Sequence, residues 1–113
     1  MSNPNKAKGD QWERDTVAVF QANGLHHVER AYGAGRHDDR GDLAGLPRWI
    51  VDCKNHATLK LSEWIDSVHA KKRRPGDYGA VIIKRRLRGA EEGYVVLRLD
   101  DFTRLVAEAE NAI

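Results

Sequence analysis

Apolar residues recur at helical spacing over 10–23: on a wheel of about 100° per residue, Trp12, Val17, Val19 and Phe20 form one arc, and Glu13 falls inside it. That carboxylate is therefore expected to face the body of the domain. Asp10 has the chemistry of an N-cap, Glu13 stands three residues on as in a capping box, and Gly24 supplies the stop. Residues 1–8 are polar, carry Pro4 and lack periodicity, so they read as a disordered tail ahead of a single domain over 9–113. A short strand is predicted over 26–32, anchored by Leu25 and Val28, and 33–41 is a loop by its glycines and charges. Two strands follow, 42–44 and 48–54, read as a hairpin with Pro47 in its turn.

Beyond them, Ser62 is the expected cap of a second helix whose Trp64, Ile65 and Val68 make one stripe. Its end, Lys71-Lys72-Arg73-Arg74 before Pro75-Gly76, suits the negative pole of a helix. Strands are predicted over 79–84 and 94–99, the first around the continuous apolar run Ala80-Val81-Ile82-Ile83 of the buried kind. Asp100 or Asp101 caps a last helix with Phe102, Leu105, Val106 and Ala109 on one face. The predicted order is αβββαββα, without internal repeats.

Composition narrows the class. The 113 residues are 32% charged and 41% apolar, with Trp12, Trp49 and Trp64 spread along the chain, which favours a small charged globule over disorder. Cys53 is the single cysteine, so no internal disulfide forms and a reducing compartment is the natural setting. No apolar run approaches a membrane span, and MSNPNKAKGDQWERD lacks the apolar segment of a secretory signal. A soluble cytoplasmic protein is expected. Net charge is only +2, but the charges are unevenly spread.

The chemistry is concentrated in Gly41-Asp42-Leu43 and Trp49-Ile50-Val51-Asp52-Cys53-Lys54. If the hairpin turn centres on Pro47, Asp42 lies opposite Asp52, with Cβ atoms roughly 4.5–5.5 Å apart. Strand alternation puts Lys54 on the same face as Asp52 and turns Val51 and Cys53 away. Two carboxylates so close repel unless a cation or a shared proton relieves them. Oxygen-only donors suit Mg²⁺ or Mn²⁺ better than zinc, and such an ion beside a lysine implies metal-assisted phosphodiester hydrolysis. Taken singly, each feature has an ordinary reading: an Asp-x-Lys as a solvated strand face, Glu13 as a capping residue, the basic runs at 71–74 and 84–88 as a helix end and a charged turn. His26, His27, His37, Cys53 and His56 lack the spacing of a zinc site and read as surface or packing residues. The conjunction of the acidic and basic elements is what carries weight.

Glu13 in a first helix, Gly41-Asp42-Leu43 and Val51-Asp52-Cys53-Lys54, in this order, resemble the motifs of the PD-(D/E)XK nuclease superfamily, and within it those of archaeal-type Holliday junction resolvases and their phage-encoded relatives. The likeness runs from Gly9 to Leu105 and takes in Arg30, the loop around Gly33-Ala34-Gly35 and the apolar strand at 80–83. Gly41 stands where the superfamily often has proline, Asp52 where the resolvases usually have glutamate, and Ala34 where they often carry serine.

The resemblance implies a restriction-endonuclease-like αβββαβ core, a mixed central sheet flanked by helices, with an extra C-terminal strand and helix. It implies further that Glu13, Asp42 and Asp52 gather one or two Mg²⁺ ions, with Mn²⁺ able to substitute, that Lys54 is the catalytic lysine, and that a homodimer makes paired nicks in four-way DNA junctions. Arg30, Arg36, Lys71, Lys72, Arg73 and Arg74 are the expected phosphate contacts, since cations along a groove supply sequence-independent affinity. The alternatives are a restriction-like or repair nuclease acting on duplex, forked or flapped DNA, a non-catalytic DNA-binding protein on the same scaffold, and an interaction module without a nucleic-acid role.

Overall fold

Asn3-Pro4 begins the first helix, α1 (Pro4–Ala22): the Asn3 side chain accepts from the backbone N–H groups of Asn5 and Lys6, and Pro4 occupies a first-turn position whose missing N–H costs nothing. The computed structural model describes residues 3–31 and 39–112. The expectation of a tail through residue 8 therefore fails from Pro4 onward. This first stretch of α1 is largely exposed, so it carries no apolar stripe, and only the cap marks it. Asp10, expected as the cap, sits inside the helix and pairs with Lys6 and Arg30. The helix ends where expected, at Asn23-Gly24, with Gly24 at φ +93°.

The first strand is shorter than predicted. Val28 is buried ahead of β1 (Glu29–Arg30), whereas Leu25 is more than a third exposed and anchors nothing. β1 pairs antiparallel with β2 (Leu43–Ala44), Arg30 opposite Leu43. The predicted loop lies largely outside the described residues, and Arg36 with it. A separate mixed sheet runs in the order β3 (Trp49–Lys54), β4 (Tyr78–Ile83), β5 (Tyr94–Val96). β3 and β4 are parallel, with Asp52 opposite Val81, and α2 (Leu61–Ala70) provides the crossover that a parallel pair requires. β5 returns antiparallel after a short 3₁₀ turn at Ala90–Glu92, setting Val95 opposite Ile82.

Two expectations are corrected here. In place of one central sheet there are two, of two and three strands. The hairpin register with Asp42 opposite Asp52 also fails: 41 bridges Val51 in the parallel sense, and the Asp42 N–H donates to the Val51 carbonyl at 2.7 Å. Gly45 turns the chain instead, at φ +92°, where a Cβ would stand 2.5 Å from the His27 carbonyl oxygen.

Alternation along β3 and β4 divides the core between the two faces of the larger sheet. Val51 and Ile82 pack with Trp12 and Val17 of α1, and the Trp12 indole N–H donates to the Ile82 carbonyl at 3.1 Å. Ile50, Val81 and Ile83 pack with Trp64, Ile65 and Val68 of α2. The stripe of α2 is thus core, and its N-cap is Lys60 rather than Ser62. The last helix, α3 (Leu99–Glu110), behaves differently. Asp101 is its buried residue, while Leu99, Phe102 and Val106 remain exposed, so its apolar face does not pack on the sheet as predicted. Together these elements make an α/β domain in which a mixed sheet lies between α1 and α2. Among the described residues no helix is long and apolar enough to cross a membrane.

Candidate carboxylate site

Asp52 lies in the middle of β3, on the α2 side, where a strand buried on both faces leaves it 4% exposed. A buried carboxylate needs partners. Lys71, the residue that closes α2, supplies one: its Nζ lies 2.9 Å from Asp52 Oδ2 and 3.5 Å from Asp39. Burial alone would lower the Lys71 pKa, but the Asp52 and Asp39 carboxylates outweigh it and hold the ammonium above its ordinary value. The other oxygen, Asp52 Oδ1, is buried and has no donor among the described residues.

Gly41 is what lets the neighbouring chain approach this carboxylate. It sits at φ +93°, and a Cβ there would meet the Val51 carbonyl oxygen at 2.6 Å and Asp52 Oδ1 at 3.1 Å. The next residue, Asp42, accepts from the Cys53 N–H at 2.8 Å through Oδ2. Burial pushes the Asp42 carboxyl up to about 6, the Cys53 N–H opposes the rise, and the charges of Asp52 and Glu13 add to it. Burial likewise raises the Cys53 thiol, which is therefore no nucleophile at neutral pH. Glu13, on the inward arc of α1 as expected, is held by Arg30, whose Nε donates to it at 3.1 Å.

The charges of Glu13, from α1, and of Asp52, from β3, thus both reach Asp42, in the segment before β2. Lys54 follows Asp52 by two residues on the same side of β3, but its ammonium lies 5.8 Å from the Trp64 ring centroid rather than on a carboxylate. It borders an open cleft of about 490 Å³ lined also by His56, Thr58, Lys60, Glu63 and Trp64.

Of the basic run at the end of α2, expected to meet phosphates, Lys71 and Lys72 are directed inward while Arg73 and Arg74 are exposed. Lys71 holds Asp52, Lys72 holds Asp101 at 2.9 Å, and Arg74 donates to the Pro47 carbonyl and lies 3.6 Å from Asp77. The Arg73 backbone N–H donates to Asp77, and Arg30 pairs with Asp10 and Glu13. Two buried acids further along the chain, Asp77 and Asp101, account for this reversal. The cations of the cleft, Lys54 and Lys60 with His56, were not singled out together because they straddle the end of β3 and the start of α2, where no spacing rule links them.

The donor chemistry suits a hard divalent ion: oxygen ligands only, one carboxylate oxygen buried without a donor among the described residues, and one carboxyl raised by burial, with its acidic neighbours adding to the rise. Among the described residues no three His, Cys, Asp or Glu side chains are gathered as a metal-holding group in the arrangement seen, and Asp52 and Glu13 each hold a cationic side chain. Lys71 stands on one Asp52 oxygen, Oδ2, while Oδ1 is without a donor among the described residues.

The raised Asp42 makes a prediction for the metal-free protein. A group whose folded-state pKa lies above its unfolded value adds stability that is full below the unfolded value and lost as pH rises through the folded one. With Asp42 at about 6 against an ordinary 3.8, its contribution should decline between about pH 4 and pH 6. The penalty at neutral pH is about 3 kcal/mol. Asp42→Asn, whose amide oxygen can still accept from Cys53, should therefore raise the melting temperature in chelator at pH 7.5 and have little effect at pH 4. A lower melting temperature at pH 7.5 would contradict the assignment.

Fold and site together define an α/β domain with Asp42 within reach of the charges of Glu13 and Asp52, and a cleft bordered by Lys54 and Lys60 at the end of β3. No protein-family model, no curated protein and no solved structure matches the chain.

Proposed function

We propose that the chain is a metal-dependent endodeoxyribonuclease selective for branched DNA, resolving four-way Holliday junctions by paired nicks. The observation that supports this most is Asp42, raised to about 6 by burial with the charges of Asp52 and Glu13 adding to it, and Lys54 two residues beyond Asp52 on β3. Repelling carboxylates are costly to keep together, and a cation that they bind in function is a reason to keep them. Glu13, Asp42 and Asp52 are the residues that would hold Mg²⁺ or Mn²⁺, which supplies polarisation of the phosphodiester and a lowered pKa of the attacking water. Lys54 would orient that water or neutralise charge developing on the phosphoryl oxygens. Lys54, His56 and Lys60 offer a track for the DNA backbone along the cleft, in place of Lys71 and Lys72, which hold buried acids.

Resolution needs two cuts related by two-fold symmetry, hence a homodimer with one site in each copy. The stripe of α2 is buried, whereas that of α3, with Phe102 and Val106, is exposed and available for this contact.

The test is incubation of labelled four-way junction, fork and linear duplex with the protein in Mg²⁺, Mn²⁺, Ca²⁺ and chelator. Mg²⁺ and Mn²⁺ should support paired nicks in the junction. Ca²⁺, larger and with longer ligand distances, should support binding with little turnover. Duplex cut as readily as junction would keep the nuclease and exclude the resolvase, and absence of cleavage in every metal would remove the enzyme reading.

A further inference from the structure

The carboxylate site already contains a cation. Lys71 Nζ sits 2.9 Å from Asp52 Oδ2 and 3.5 Å from Asp39, its side chain 22% exposed, while the Asp52 side chain is 5% exposed. The contact joins residues 19 apart in sequence across the crossover. The second Asp52 oxygen has no donor among the described residues, although Lys54 projects from the same side of the strand two residues on. An ammonium paired with two carboxylates, one of them at hydrogen-bond distance, is a stable occupant, and it stands on an oxygen that a divalent ion at Asp52 would draw on.

We propose that Lys71 is the resident counter-ion of the site, holding Asp52 in the metal-free protein and competing with the divalent cation for it, so that Lys71 sets the metal concentration at which the site fills. The inference rests on the metal-binding reading above. Removing the ammonium leaves Asp52 buried and unpaired, which destabilises the empty site and strengthens its attraction for a metal ion. Lys71 therefore acts as a positioning residue, protecting the fold when metal is scarce and delaying filling until metal is abundant.

Calorimetric titration with Mn²⁺ alone, without DNA, tests this on the full chain. Lys71→Met should bind Mn²⁺ about tenfold more tightly than the unaltered protein, a modest share of what one unit charge a few ångströms away can exert. Lys71→Arg, which keeps the charge, should stay within about twofold to threefold, and Arg86→Met, which removes an exposed charge elsewhere, should leave affinity unchanged. Should Lys71→Met fail to fold, the unaltered protein is read by NMR of its lysine ammonium groups. One protected ammonium signal, absent from Lys71→Arg, should disappear in step with saturation by Mg²⁺. If Mn²⁺ binds in a manner abolished by Asp52→Asn, yet Lys71→Met binds it no more tightly or the protected signal persists at saturation, the Lys71 proposal falls while the metal site stands. If no form binds Mn²⁺, both fall.

Discussion

Asp52→Asn should lower the single-turnover rate of junction cleavage in Mg²⁺ by about a thousandfold, equivalent to about 4 kcal/mol of lost transition-state stabilisation. The amide keeps the shape of the side chain but withdraws a charge from the proposed metal ligands. Asp42→Asn should fall by a similar factor, Lys54→Ala by about a hundredfold, and Glu13→Gln least. DNA affinity, measured by mobility shift in Ca²⁺, should change little. The two aspartates should part company in stability. Asp42 carries an unfavourable buried charge whose removal helps the fold, whereas Asp52 is the partner of Lys71, so Asp52→Asn leaves an ammonium facing a neutral amide. Substantial cleavage by Asp52→Asn, with its fold intact by circular dichroism, would falsify the proposed site.

The largest expected loss of stability comes from Asp101→Ala, at about 3–5 kcal/mol. Asp101 is 3% exposed and carries the attachment of α3 to the sheet. Its oxygens accept from Lys72 at 2.9 and 3.0 Å, from the Gly79 backbone N–H at 2.9 Å and from Arg104 at 3.3 Å, with His69 3.5 Å away. Burial would raise its pKa, but the Lys72 ammonium and the Gly79 N–H overcome that and keep the carboxyl below its ordinary value. Alanine removes every acceptor at once, leaving a partly buried ammonium and a backbone N–H unsatisfied. The melting temperature should fall by on the order of 10–20 °C. Because the folded-state pKa is depressed, the stabilisation is present above the unfolded carboxylate value and lost as pH falls through the folded one. The gap between Asp101→Ala and the unaltered protein should therefore narrow in acid. A loss under about 1 kcal/mol at pH 7 would show that α3 is held by something else.

The order of elements was legible because each carries a local signal: the arc of α1, the β-branched run of β4 and the stripe of α2 are repeats of period 3.6 or 2 within a few residues. Asp52 and Lys54 share a side of β3 for the same reason. The start of α1 was equally local, written in Asn3-Pro4, and was passed over because an exposed helical turn has no apolar stripe. The apolar face of α3 was legible as well, but not its fate. Amphipathicity says that a face exists, while burial depends on whether the sheet has room beyond α2, and Leu99, Phe102 and Val106 stay exposed.

The sequence by itself thus determined the α/β class, the succession of elements, the core stripes of α1 and α2, and the acidic and basic residues available for chemistry. Only the tertiary structure decided which charges meet. Placing Asp42 depended on a hairpin register, and Gly41 at positive φ bridges Val51 in the parallel sense instead, setting Asp42 against the Cys53 N–H. Lys71, Lys72 and Arg74 looked like a phosphate-binding run, and each turns to an acceptor distant in the chain: Asp52, Asp101 and Pro47. Alternation and capping act over one or two turns of chain and can be read directly. The pairing of buried charges depends on which strand ends the crossover and the last helix bring together, and desolvation then requires each buried carboxylate to find the nearest cation.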